Sequence, residues 1–252
     1  MISADALTVR LRAAGSVFAE EEAALLIAEA SSPETLELMS AQREAGVPLE
    51  VIVGWAEFAG LRVIVEPGVF VPRHRTEFLV AEAARLAVPG AVALDLCCGT
   101  GALGLALASQ VPVDLYAADI DPAAVHCARR NLPPSRVFEG DLFDALPAGL
   151  RFDIVLANTP YVPTAAIALM PPEAREYESA VALDGGDDGL DIQRRVAAAA
   201  SARLNPGGHV LVEASEEQAP LSAAIFAAEG LEARIVFSEE FDATVVVGTL
   251  RR

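Results

Sequence analysis

Five short apolar runs, four of them carrying or leading into an acid or Asn158 at the end, constrain this chain more than any other feature. They are Val92-Ala93-Leu94-Asp95-Leu96, residues 113–119 ending in Asp119, residues 136–139 followed by Gly140-Asp141, residues 152–157 followed by Asn158, and residues 209–213 ending in Glu213. Most have the length and continuous apolarity of strands buried on both faces, and helices are expected between them at about residues 102–108, 122–131 and 190–202, with another at 217–228. The alternation predicts an α/β fold with a mainly parallel sheet covered on both faces, completed by strands at residues 231–237 and 244–250. In such sheets ligands bind beyond the carboxyl ends of the strands, so function is to be sought in what stands there.

The first run leads into Cys97-Cys98-Gly99-Thr100-Gly101 and then a helix former. Glycines at a strand-to-helix turn let the backbone approach a ligand and aim free amides at it, which signals a nucleotide cofactor. Gly99, Gly101 and Gly104 also satisfy the dinucleotide fingerprint, and Asp119 stands about where that fingerprint wants a ribose-binding acid. Two features tilt away from a dehydrogenase. Asp95 is expected at the strand's end, pointing into the loop, where it would repel a pyrophosphate and welcome a cation, and no histidine pattern for hydride transfer is evident. An acid beside a glycine turn suits S-adenosylmethionine, whose ammonium and sulfonium are positive. Asp119 would then accept from both ribose hydroxyls, with Asp121 before Pro122 as the N-cap of the next helix. Asp141 would accept from an adenine amino group while Leu142 and Phe143 contact the ring.

The fourth run delivers Asn158-Thr159-Pro160-Tyr161 to a strand end. An asparagine amide both accepts and donates, Pro160 biases Thr159 toward extended backbone, and Tyr161 offers a flat face with a polar tip, a set able to grip a planar, hydrogen-bonding substrate. The polar, proline-bearing loop at residues 162–178 is too long for an ordinary connection and is a candidate substrate lid. The acid-rich residues 184–191 fail the calcium-loop spacing and read as a turn feeding a helix N-terminus, and Asn205-Pro206-Gly207-Gly208 reads as a tight turn.

Upstream, residues 3–46 read as helical, with Ser32-Pro33 starting a helix and Gly46 stopping one. Residues 55–58 and 61–65 read as a hairpin around Ala59-Gly60, and the Pro- and Gly-rich piece after it carries the domain boundary. The expected division is a helical region at 1–47, a β-hairpin linker at 48–75 and the main domain at 76–252. A net charge of −18 opposes binding to nucleic acid, while the lack of an apolar stretch long enough for a membrane span and the charged Asp5, Arg10 and Arg12 near the start predict a soluble cytoplasmic protein. Three cysteines without ligand spacing argue against a disulfide framework and a metal site. The chain contains no lysine, which excludes Schiff-base chemistry.

Taken together, these motifs resemble the protein-(glutamine-N5) methyltransferases of the HemK/PrmC type, from about Pro48 to the C-terminus. The resemblance rests on Pro48-Leu49-Glu50 through Gly54, Glu57-Phe58, Pro72-Arg73 with Thr76-Glu77, the glycine turn after Asp95, Asp119, residues 140–143, the Asn-x-Pro-Tyr motif, and residues 182–186 through Leu190-Asp191. It implies a class I, Rossmann-like methyltransferase with a seven-stranded sheet, S-adenosylmethionine as cofactor, and a helical N-terminal region that recruits a protein substrate carrying a glutamine, in a release factor or ribosomal protein. It further implies that Asn158, Thr159, Pro160 and Tyr161 form the catalytic loop, with the Asn158 side-chain oxygen and the Thr159 carbonyl accepting the two amide hydrogens. Phe70, Arg73, Thr76, Asp95, Cys97, Gly99, Gly101, Asp119, Ile120, Asp141, Leu142 and Asn158 are the implied cofactor contacts. The chain departs from the family pattern at Thr159, where proline is usual, at His74-Arg75, and in its short N-terminal region, which points to the divergent Asn-x-Pro-Tyr subgroup. N-methylation of another amide or amine, or a catalytically silent cofactor-binding module, are the competing readings.

Overall fold

The computed structural model describes residues 2–251, except the side chain of residue 174. Helices α1 (Ala4–Ala13), α2 (Ala19–Glu29) and α3 (Pro33–Glu44) pack through Leu7, Leu11, Ala23, Leu26, Leu36 and Met39. Ser32 caps α3 by accepting from the Thr35 amide at 3.1 Å, with Pro33 in its first turn. Residues 49–53, expected within a hairpin linker, are instead a helical turn, α4 (Leu49–Val53). Its β-branched composition resembles a strand, but Leu49, Ile52 and Val53 fall on one face at helical spacing and dock on the preceding three helices. The hairpin proper is β1 (Trp55–Phe58) and β2 (Leu61–Ile64), closed with Phe58 opposite Leu61 across Ala59 and Gly60. Both turn residues have positive φ, +50° and +73°, as a two-residue turn matched to strand twist requires.

After a connector and α5 (Glu77–Leu86), the chain alternates β3 (Val92–Leu96), α6 (Ala102–Gln110), β4 (Asp114–Asp119), α7 (Pro122–Asn131), β5 (Val137–Glu139) and β6 (Phe152–Ala157). The path from β6 to the next long helix carries α8 (Pro172–Tyr177) and α9 (Ala180–Leu183). Then come α10 (Asp191–Arg203), β7 (Leu204–Ala214), α11 (Ala219–Ala228), β8 (Glu232–Ser238) and β9 (Ala243–Thr249). The seven strands lie in the order β5-β4-β3-β6-β7-β9-β8, parallel except for the pairs that β9 makes. Two apolar layers cover the sheet, one around Phe152, Val196 and Phe226 and the other around Leu79, Leu107 and Val245. Strand order reverses between β3 and β6, and the crevice opens there.

Two expectations change. The turn at Asn205-Pro206-Gly207-Gly208 lies inside β7: Phe152 pairs with Leu204 and Ile154 with His209, so the tetrapeptide bulges out of the β6 ladder. Gly207 and Gly208 bond the backbone of Leu250 and thereby remain in the sheet. The loop at residues 162–178 is a structured excursion with a 3-10 turn (Thr164–Leu169) and α8. Its start and the residues just beyond it lie side by side, because Val162 bridges Asp184 and the Gly185 amide donates to the Val162 carbonyl at 2.9 Å. Among the described residues no helix is long and apolar enough to cross a membrane.

Candidate active site

A cavity of about 270 Å³ lies beyond the carboxyl ends of β3, β4 and β6, roofed by the connector at residues 68–76 and by the excursion after β6. From the glycine turn, Cys97 and Gly99 line it, and both have positive φ, +57° and +54°. Asp119, at the end of β4, accepts the Gly99 amide at 2.8 Å and the Asp121 amide at 2.9 Å, so the acid shapes the glycine turn as well as facing the cavity. Burial pushes its pKa up, against the pull of those two amides. Asp121 caps α7 at the Ala123 amide, as expected. Ile120 presents a half-exposed apolar face on the same wall, and the partly buried Leu142 another, with Asp141 beside it.

Two expected cofactor contacts are not on the wall. Asp95 is 1% exposed and points behind the turn, where Oδ2 accepts the Gly104 amide at 2.8 Å. Its place one residue before the strand end aims it at the helix N-terminus instead of the loop, and burial lifts its pKa to about 8. Gly101 is a packing glycine: its φ is +79°, and a Cβ there would stand 2.8 Å from Leu132 Cδ1. Gly104 has a similar reason, since its Cβ would meet Leu115 at 3.0 Å where α6 crosses the sheet.

Asn158, Thr159, Pro160 and Tyr161 all line the cavity. Asn158 Oδ1 and Thr159 Oγ1 are buried with no hydrogen-bond partner in the protein, as is Thr76 Oγ1 on the connector opposite. Orphaned buried acceptors and hydroxyls are rare in folded chains and call for an external partner. The tetrapeptide is fixed from behind. Tyr161 donates its hydroxyl to Glu213 Oε1 at 3.1 Å, Arg75 bonds both the Tyr161 oxygen and that carboxylate, and Gln218 Nε2 holds the Tyr161 carbonyl at 3.0 Å. Burial and the Glu213 charge raise the Tyr161 pKa, so the phenol stays protonated at neutral pH. Phe70 and Arg73 complete the connector side, with the guanidinium 5.0 Å from the Phe70 ring centroid.

Several residues at the site went unread in the sequence. Glu213 ends the β7 run and was open to the same strand-end reasoning as Asp119. Glu178 and Arg195 carried no local signal, because only the tertiary fold brings α10 and the excursion to the crevice. Arg195 pairs with Asp141 at 2.6 Å, so the carboxylate expected to meet an adenine amino group already has one partner. The residues present fit an adenosyl amino-acid cofactor: an acid for a ribose, apolar faces for a ring, and unpartnered polar atoms toward the centre.

Comparison with known proteins places these observations. Residues 60–170 match the methyltransferase small domain family. The release factor glutamine methyltransferase of Geobacter sulfurreducens is 43% identical over 75% of this chain and 68% of its own. That of Cereibacter sphaeroides is 36% identical over 96% of this chain and 95% of its own. Among solved structures, a methyltransferase from Pyrococcus furiosus superposes with a TM-score of 0.60 at 17% identity, covering 77% of this chain and 90% of that one, which shows a shared fold. The chain belongs to the release factor glutamine methyltransferase family of S-adenosylmethionine-dependent enzymes.

Proposed function

We propose that this chain transfers a methyl group from S-adenosylmethionine to the side-chain amide nitrogen of a glutamine in a release factor. The observation that carries the reading is Asn158 Oδ1, a buried acceptor with no partner in the protein, at the end of β6 on the cavity wall. When bound, the cofactor supplies an electrophilic methyl on a positively charged sulfur. A carboxamide nitrogen is a weak nucleophile because its lone pair is delocalised into the carbonyl, so the protein's task is to hold it in line with that methyl. Asn158 Oδ1 and the Thr159 carbonyl accept the two amide hydrogens and aim the nitrogen. Tyr161, kept neutral and pinned by Glu213 and Arg75, acts as a wall and not as a base. Methylation of the held nitrogen would release one proton, and because Tyr161 is kept protonated, that proton would pass to water.

The helical region at residues 1–47 is assigned to recruiting the protein substrate. It is tied to the roof of the cavity, since Arg43 pairs with Glu173 of α8 at 2.6 Å while also holding the buried Glu22. The exposed Val17 and Phe18 between α1 and α2 offer it an apolar contact. The test is incubation with labelled S-adenosylmethionine and a purified release factor, followed by peptide mass spectrometry. The expected product is one methyl on a glutamine. Label in small molecules only, with none in the release factor, would overturn the assignment of the acceptor.

A further inference from the structure

The proposed transfer leaves one charged group of the cavity wall without a task. Glu178 ends the first part of the excursion, and its backbone bridges Gly68 of the connector. The residue is 7% exposed and lines the cavity. Its Oε1 accepts from the Val71 amide at 3.4 Å and from the Arg73 guanidinium. Its Oε2 is buried and has no partner. Burial pushes this carboxyl's pKa up and Arg73 pulls it down. Arg73 also lines the cavity, and a guanidinium has five N–H donors, so its bond to Glu178 leaves others free for a ligand.

A carboxylate and a guanidinium thus stand side by side on one wall, each with bonding capacity left over. The amino-acid end of S-adenosylmethionine carries the complementary pair, an ammonium and a carboxylate on one carbon. We propose, building on the methyl-donor reading above, that Glu178 and Arg73 clamp this zwitterion, with Glu178 Oε2 accepting from the ammonium and Arg73 donating to the carboxylate. Inserting a zwitterion beside an ion pair adds no net charge to a buried space, and it gives every charged group an opposite neighbour. An anion alone would be repelled by Glu178, and the neutral amide of a glutamine would leave the guanidinium unused. The position agrees: the connector next to Glu178 packs Val69 on Ala124, just past Asp119 and Asp121 on the ribose side. Asp95, expected from sequence to receive the cationic end, is turned away behind the glycine turn, and Glu178 takes that role.

Isothermal titration of the full chain with three ligands tests the clamp without any turnover. The ligands are S-adenosylhomocysteine, its 2-oxo analogue lacking the ammonium, and 5′-methylthioadenosine lacking the whole amino-acid end. Glu178→Gln keeps an oxygen for Val71 and Arg73 but places an amide NH₂ where the ammonium would donate. It should weaken S-adenosylhomocysteine about tenfold to a hundredfold, the range for a hydrogen bond to a charged group. Its affinity for 5′-methylthioadenosine should stay within about twofold, because that ligand never meets the clamp. Equal weakening of both ligands would make Glu178 a mere strap for the roof, and no weakening of either would remove it from the site; each result overturns the clamp. Should Glu178→Gln fail to fold, the wild-type protein decides, since equal affinity for S-adenosylhomocysteine and its 2-oxo analogue is incompatible with the proposal. Wild-type protein that bound none of the three would instead sink the methyl-donor reading.

Discussion

Replacing Asn158 by alanine should separate catalysis from stability. Asn158 Oδ1 is buried without a partner in the protein, so the wild-type chain carries the desolvation cost of that atom, about 1–3 kcal/mol for an unsatisfied polar group. Alanine removes the cost. Lost packing offsets part of the gain, roughly 1 kcal/mol for a methyl-sized void, but the side chain borders a cavity and leaves little enclosed space behind. The melting temperature should therefore hold or rise slightly, with about 2–4 °C per kcal/mol as the scale for a chain of this size. Methyl transfer should fall by about a hundredfold to a thousandfold, the cost of removing one preorganised positioning group. S-adenosylhomocysteine affinity should change only a few fold. The assays are differential scanning fluorimetry, calorimetric titration and a single-turnover label transfer to a release factor. A fall of many degrees in melting temperature, or a loss of cofactor affinity matching the loss of rate, would refute the reasoning by making Asn158 a structural or cofactor residue.

Asp119→Ala should behave oppositely, losing S-adenosylhomocysteine affinity by at least about tenfold, since it removes the proposed ribose acceptor and the carboxylate that bonds the Gly99 and Asp121 amides; unchanged affinity in calorimetry would contradict the proposed ribose contact. Gly101→Ala combines a φ of +79° with a Cβ 2.8 Å from Leu132, and should destabilise the fold by about 1–3 kcal/mol while affinity in the folded fraction stays within a few fold. Denaturant titration checks the first part and calorimetry the second. Asp95 titrates near pH 8 in the fold against 3.8 for the free group, so it is protonated there through neutral pH while the unfolded chain has already released its proton. Its contribution is therefore whole below about pH 4 and is lost as pH rises through about 8. Asp95→Asn copies the protonated form and keeps an oxygen for the Gly104 amide, so it should flatten that decline; parallel melting-temperature profiles from pH 5 to 9 would count against it.

Local signals carried the fold further than they carried the site. Strand runs ending at Asp119, Asp141 and Asn158 were legible because a buried parallel strand imposes its pattern on consecutive residues, and chain order then placed their ends together. Asp95 shows the limit: one position along a strand turns a side chain to the opposite face, and here it turns the carboxylate from the cavity to the Gly104 amide at the helix start. Gly101 is a related case, since a glycine needed to clear Leu132 looks in sequence like one needed to admit a ligand. Asn205-Pro206-Gly207-Gly208 has turn composition, yet the bonds to Leu250 that keep it in β7 come from a strand some forty residues on. Arg195 and Glu178 were invisible because neither stands at a strand end, and only the folded path of helix α10 and the excursion brings them to the crevice.

The distribution of unpaired polar atoms then does what no single motif could. Buried polar groups cost stability unless bonded, so a chain under selection for folding alone would have few, placed at random. Here Thr76, Asn158, Thr159 and Glu178 each leave a buried atom without a partner, and all four line one cavity. Asp95 and Glu213, which also leave one, stand immediately behind it, the first holding the helix start after the glycine turn and the second holding Tyr161, while Ser16 and Trp55 leave one away from the cavity. The stability forgone at these positions is recoverable by a ligand that brings donors and acceptors of its own. Thr159 has a place in this pattern: at 1% exposure, its hydroxyl is one more buried group without a partner on the cavity wall.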